Sequence, residues 1–115
     1  MTVSTRLFKW TLAAALGALP LAAAAGPYFD DGNVRIQEVR FQPGDVGKTI
    51  ARPARVIRVL QGGTMRRTYA DGRVDDVQYK TGETRVYDAD PVFGIRNIGK
   101  TEIVFFVVAI RHPQK

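Results

Sequence analysis

From Val34 onward, apolar residues come in short runs broken by turn-forming residues, and no window carries a helical period of useful length. The runs 34–42, 55–60, 64–69, 73–79, 84–88, 92–97 and 102–111 are rich in Val, Ile, Phe and Tyr and read as β-strands. Pro43-Gly44, Gly62-Gly63, Asp71-Gly72, Lys80-Thr81-Gly82 and Gly99 separate them. An Asp-Gly pair between two such runs marks a hairpin, and Gly62-Gly63 reads as a hairpin turn too. In the first run the alternation changes phase between Val34/Ile36 and Val39/Phe41, which predicts a bulge around Glu38. The last run is apolar at every position from Ile103 to Ile110. It predicts a central strand covered on both faces, by core on one side and by a second layer or partner on the other. About seven to nine short strands without a helix predict an all-β sandwich or barrel in a single domain.

The N-terminal stretch has a different pattern. Arg6 and Lys9 precede an apolar run from Trp10 to Leu21, interrupted by Thr11, Gly17 and Pro20, and Ala22–Ala25 follows. That is the plan of a secretory leader with a small-residue cleavage site at Ala23-Ala24-Ala25. The run falls short of the roughly 20 residues a spanning helix needs, and Pro20 breaks it. Residues 1–25 are therefore expected to be cleaved, leaving an N-terminal arm (26–33), a barrel (34–111) and a tail (112–115), with no membrane anchor. The expected location is the periplasm or the exterior.

Charge then narrows the function classes. The 115 residues carry 17 Lys and Arg against 11 Asp and Glu, a net +6. Without Arg6 and Lys9 the balance falls to +4, and the remaining Arg residues are scattered among acidic and apolar ones. Nucleic-acid binding needs a clustered basic patch, so none is expected. There is no Cys, which excludes disulfides, thiolate metal sites and Cys nucleophiles. The one Ser, Ser4, lies in the leader, so Ser-dependent acyl transfer is excluded from the remainder.

The order of turns resembles the cupin family, small jelly-roll barrels, over about Val34 to Arg111. Three stretches carry the likeness: Phe41-Gln42-Pro43-Gly44, Arg55 through Gly62, and Gly82 through Asn97. Gly62 fits the closing Gly of the first family motif, which puts Arg55 at the Glu position. Gly82 and Asn97 match the two ends of the second motif, with Asp88-Ala89-Asp90 in place of Pro-x-Gly and Phe93 in place of His. The resemblance implies a jelly-roll β-barrel, and in the family a metal held by three His and a Glu. Here the His-x-His positions fall on Thr49/Ala51 or Ile50/Arg52, so every ligand position lacks a donor. No metal and no cofactor are expected.

Little catalytic chemistry is left. His112 is the one His and is the fourth residue from the end. Asp75 and Asp76 are strand neighbours that point to opposite faces. Asp88 and Asp90 read as loop residues before Pro91. Strand alternation puts Arg55, Ile57 and Val59 on one face, and the family likeness turns that face inward. A buried Arg needs a carboxylate, such as Glu83 or Asp88, or an anionic ligand. Arg55, Ile57, Arg85, Tyr87 and Phe93 are the candidate barrel-lining ligand residues, Arg96 lies nearby, and the strand phase of Arg85, Tyr87 and Arg96 stays open. Three functions compete. The first is a non-enzymatic binder of a small anionic or carboxylate-bearing molecule. The second is a homodimeric interaction protein of the envelope with a filled barrel. The third is a metal-independent enzyme with Arg55 as electrophile. A homodimer through the outward side chains of Ile103–Ile110 is expected, with the segment 28–33 as the competing intramolecular cover.

Overall fold

The computed structural model describes residues 23–111, and within them the chain is all strand and turn. The strands are β1 (Ala23–Asp30), β2 (Val34–Phe41), β3 (Ile50–Arg52), β4 (Ala54–Gln61), β5 (Gly63–Tyr69), β6 (Val74–Tyr79), β7 (Thr84–Tyr87), β8 (Asp90–Asn97) and β9 (Ile103–Ile110). They form a five-stranded sheet in the order β1-β2-β9-β4-β7 and a four-stranded sheet in the order β3-β8-β5-β6. Every pairing is antiparallel. Two facing sheets fed by long crossovers make a jelly roll.

The run Ile103–Ile110 lies at the centre of the larger sheet, as its apolar character on both faces requires. Directly opposed residues share a face, so register assigns the sides. Phe41, Val39, Phe105, Ile57 and Val59 face inward and meet Met65 and Tyr79 of the other sheet in one buried core. Phe105 packs edge-on against both Tyr79 and Phe41, with ring centroids 4.9 and 6.2 Å away. Asn97 is fully buried and fully bonded. Its amide nitrogen donates to Phe41 O (2.9 Å) and Thr101 O (2.8 Å), and its Oδ1 accepts from Gly99 N (2.9 Å).

Several expectations are corrected. No bulge interrupts β2 on β9; the register runs unbroken from Val34↔Ile110 to Phe41↔Ile103. The phase change has another cause. Val34 and Ile36 pack on the outer face and Val39 and Phe41 on the inner one, so β2 is apolar on both sides. The irregularities of this edge lie instead in its pairing with β1. Gly62-Gly63 is not a hairpin turn, because β4 and β5 belong to different sheets. It is the corner between them. A Cβ at Gly62 would run into the carbonyl oxygen of Tyr79 and lie 2.8 Å from Thr81 N, so the corner needs glycine. The segment 26–33 is not a bare arm, since most of it belongs to the edge strand β1. Asp90 begins β8 and leaves only Asp88 and Ala89 outside the strands. The short β3 escapes the sequence pattern altogether. The expected leader core, 10–21, and His112 lie outside the described residues.

Candidate functional site

One end of the barrel interior is polar. On the larger sheet, Tyr87 stands opposite Arg55, and Arg85 stands opposite Ile57 one inward row deeper. On the smaller sheet, Phe93 lies opposite Tyr69, and the alternation Met65, Arg67, Tyr69 brings Arg67 to the same interior. All five candidate residues therefore face inward, but they do not form one cluster. Ile57 is core, and Arg85 is held at the rim by Glu83 Oε2 (3.0 Å) and Gln78 O (2.8 Å), touching the cluster through Nη1, which donates to the Tyr87 hydroxyl at 3.4 Å. Arg55, Tyr87 and Phe93 meet two residues that the strand pattern does not single out, Arg67 and Arg52.

The three guanidinium groups share two rings. Arg52 lies 4.1 Å and Arg67 4.6 Å from the centroid of Phe93; Arg55 lies 4.7 Å and Arg67 4.8 Å from that of Tyr87. Each such stacking contributes about 0.5–2 kcal/mol, more as water is excluded. Arg55 and Arg67 are 6% and 7% exposed. Their carboxylate is Asp90, whose Oδ2 lies 3.0 Å from Arg55 Nη2 and 4.0 Å from Arg67 Nη1. The expected partners of Arg55, Glu83 and Asp88, are elsewhere: Glu83 pairs with Arg85, and Asp88 is an exposed residue of the β7–β8 connection.

Neutral acceptors complete the cluster. Arg52 donates to Lys48 O and Phe93 O at 2.7 Å and to Ile50 O at 2.9 Å. Arg55 donates to Pro53 O at 3.1 Å. Arg67 Nη2 donates to the Tyr79 hydroxyl at 3.2 Å, and that hydroxyl lies 3.1 Å from the Tyr87 hydroxyl. Burial, reinforced by the charges of Arg55 and Arg67, brings the Arg52 guanidinium down to about 10, so it remains a cation at neutral pH. Burial and the bond to Tyr87 push the Tyr79 phenol up to about 12, so it remains neutral.

The metal of the resembling family does not fit these residues. Arg55 and Phe93 occupy two of its ligand positions. Of the two alignments left open for the His-x-His pair, the structure brings Arg52 to the site. Thr49 instead lines a groove on the outer face of the smaller sheet, with Arg66, Thr68, Gly94 and Arg96. A divalent cation would meet three guanidinium groups and one carboxylate. Among the described residues, no three of His, Cys, Asp or Glu come together.

The outer groove, of about 630 Å3, is a weaker candidate. Arg96 stands opposite Arg66 on that face, away from the barrel interior, which settles its strand phase. Arg66 is already held by both oxygens of Asp76, at 2.8 and 2.9 Å.

No family model matches the chain, and no curated protein does. Solved structures do match. A cupin domain from Bordetella pertussis Tohama I superposes with a TM-score of 0.72 at 21% identity, covering 84% of this chain and 99% of that one. A cupin superfamily protein from Desulfitobacterium hafniense DCB-2 gives 0.59 at 15% identity, over 86% of each chain. A cupin-like protein from Thermotoga maritima gives 0.59 at 15% identity, over 78% of this chain and 68% of that one. The likeness establishes the architecture: this chain has the cupin fold.

Proposed function

We propose that this cupin-fold chain is an exported, non-enzymatic binding module that takes a small anionic or carboxylate-bearing molecule at the arginine-lined end of its barrel. One observation carries the reading: Arg52, Arg55 and Arg67 gather around Phe93 and Tyr87, with Asp90 as the carboxylate paired with Arg55 and Arg67. Arginine in that setting suits carboxylate or phosphate oxygens, which accept two N–H bonds from one planar fork. Export is supported by Arg6, Lys9, the apolar run and the alanines that follow. Thermal denaturation with a panel of small carboxylates and their neutral amides tests the binding. A rise in Tm with the acids alone supports it. Equal responses to acids and amides, or none at millimolar concentration, rejects it.

A second reading, a homodimer, is favoured by the outer face of the larger sheet. Phe29, Ile36, Val108, Val56 and Val86 stand opposite one another in a single row across all five strands. The row is self-complementary, since a two-fold axis along β9 would lay Phe29 of one copy on Val86 of the other. Among the described residues, the intramolecular cover competes where Tyr28 stacks on Phe106, with centroids 5.8 Å apart, and donates its hydroxyl to Glu38. Val86, at the far end of the row, is 76% exposed.

A further inference from the structure

We infer that the site selects a dianion, by charge balance. This rests on the binding reading above and specifies the charge of its ligand. Three guanidinium groups stand over the rings of Phe93 and Tyr87, and among the described residues Asp90 is the carboxylate paired with two of them, Arg55 and Arg67. The remaining acceptors are backbone carbonyls and phenols, which satisfy N–H groups without cancelling charge. Counted over the groups in ion-pair contact, the cluster keeps an excess of two positive charges; Asp75, opposite Arg67 in register, is exposed and makes no ion pair with it. In surroundings less polarisable than water that excess weighs more than it would at the surface.

The donors are also in place. Of the five N–H groups on each guanidinium, Arg55 and Arg67 spend two apiece on described partners and Arg52 spends three. Asp90, 22% exposed, is the member of the Arg55 pair nearest to solvent and marks the side of approach. One anionic group entering there meets Arg55 and Arg67 together, as Asp90 Oδ2 already does. Arg52, across the Phe93 ring, meets the second charge. A monoanion leaves one cation unbalanced, and a trianion brings a surplus charge against Asp90. A dicarboxylate and a phosphate share the required chemistry.

Calorimetric titration of the purified protein with butyrate, succinate, citrate and inorganic phosphate tests this, at low ionic strength and a pH where phosphate is doubly charged. Succinate or phosphate, or both, binds at least about tenfold more tightly than butyrate and more tightly than citrate. Which of the two it is separates a dicarboxylate ligand from a phosphorylated one. Arg52→Gln reduces the preference for the dianion over butyrate to about threefold or less, and Asp90→Asn shifts it toward citrate. Butyrate binding as tightly as both dianions overturns the dianion and leaves the anion-binding reading standing. Absence of binding by all four overturns both.

Discussion

Arg55 and Asp90 close a 3.0 Å ion pair whose two members differ in exposure, 6% for the arginine and 22% for the carboxylate. The asymmetry makes Asp90 the group that keeps a buried charge tolerable. Asp90→Asn is expected to destabilise the fold by about 2–4 kcal/mol, because the cation it served cannot reach water. Arg55→Met in the Asp90→Asn background should recover part of that loss by removing the stranded charge. Urea denaturation of the two variants checks this. If the double variant is no more stable than Asp90→Asn alone, the two groups are not coupled.

Asn97 gives a second stability prediction. Asn97→Ala removes a side chain with no exposure and takes its bonds from the buried Phe41 carbonyl and the part-buried Thr101 carbonyl and Gly99 N–H. About 2–3 kcal/mol should be lost, with a fall in Tm of about 10 °C or more for a domain of this size. A calorimetric Tm within a degree or two of the parent's would contradict the three bonds of the Asn97 amide.

The Tyr79 phenol supplies a prediction in alkaline solution. Its folded value of about 12 stands above the 10.0 of a free phenol, because burial and then the bond to Tyr87 favour the neutral form. A raised value means stability fully present below pH 10 and lost as pH climbs through about 12. Phenolate absorbance should therefore show a step near pH 12 that Tyr79→Phe removes. If the step that Tyr79→Phe removes lies near pH 10 instead, Tyr79 is in water.

Val86 tests the homodimer. At 76% exposure on the edge strand β7, Val86→Lys should change the stability of an isolated chain by no more than about 0.5 kcal/mol. If a second copy covers the apolar row, light scattering at micromolar concentration reports twice the chain mass for the parent and a single chain for the variant. A parent that is monomeric there abandons the homodimer.

The sequence reveals the barrel more readily than the cluster inside it. Eight consecutive apolar residues report a central strand, and Ile103–Ile110 is the middle of its sheet, although Phe106 and Val108 on its outer face are half-buried and Ile110 is exposed. Alternation puts Arg55 on the face of Ile57 and Val59, and the family likeness turns that face inward. The same logic applies to Arg67: Met65, Arg67 and Tyr69 share one face and Thr64, Arg66 and Thr68 the other. The pair Arg66-Arg67 hides that alternation, because two adjacent cations look like one solvated patch. Arg52 is harder, since β3 is three residues long and ends before Pro53, leaving no period to read. Gly62-Gly63 shows a different limit. A tight turn within a sheet and a corner between two sheets make the same demand for glycine, and only tertiary pairing tells them apart. Asp90 is obscured by Pro91, which reads as loop although it sits near the start of a strand, where proline is tolerated.

The two strands that flank the polar end, β6 and β7, are each bonded along one side only. Across the gap between them run side-chain links alone: the hydroxyls of Tyr79 and Tyr87, Arg85 on the carbonyl of Gln78, and Arg85 over the Tyr79 ring. This line is a seam, and parting it breaks no rung of either ladder. Local opening is cheapest where it costs no main-chain bonds. Amide protons along the seam edges of β6 and β7 should trade with solvent deuterium well before those of β9. On that expectation the barrel opens first beside its arginines and last at the strand in its centre.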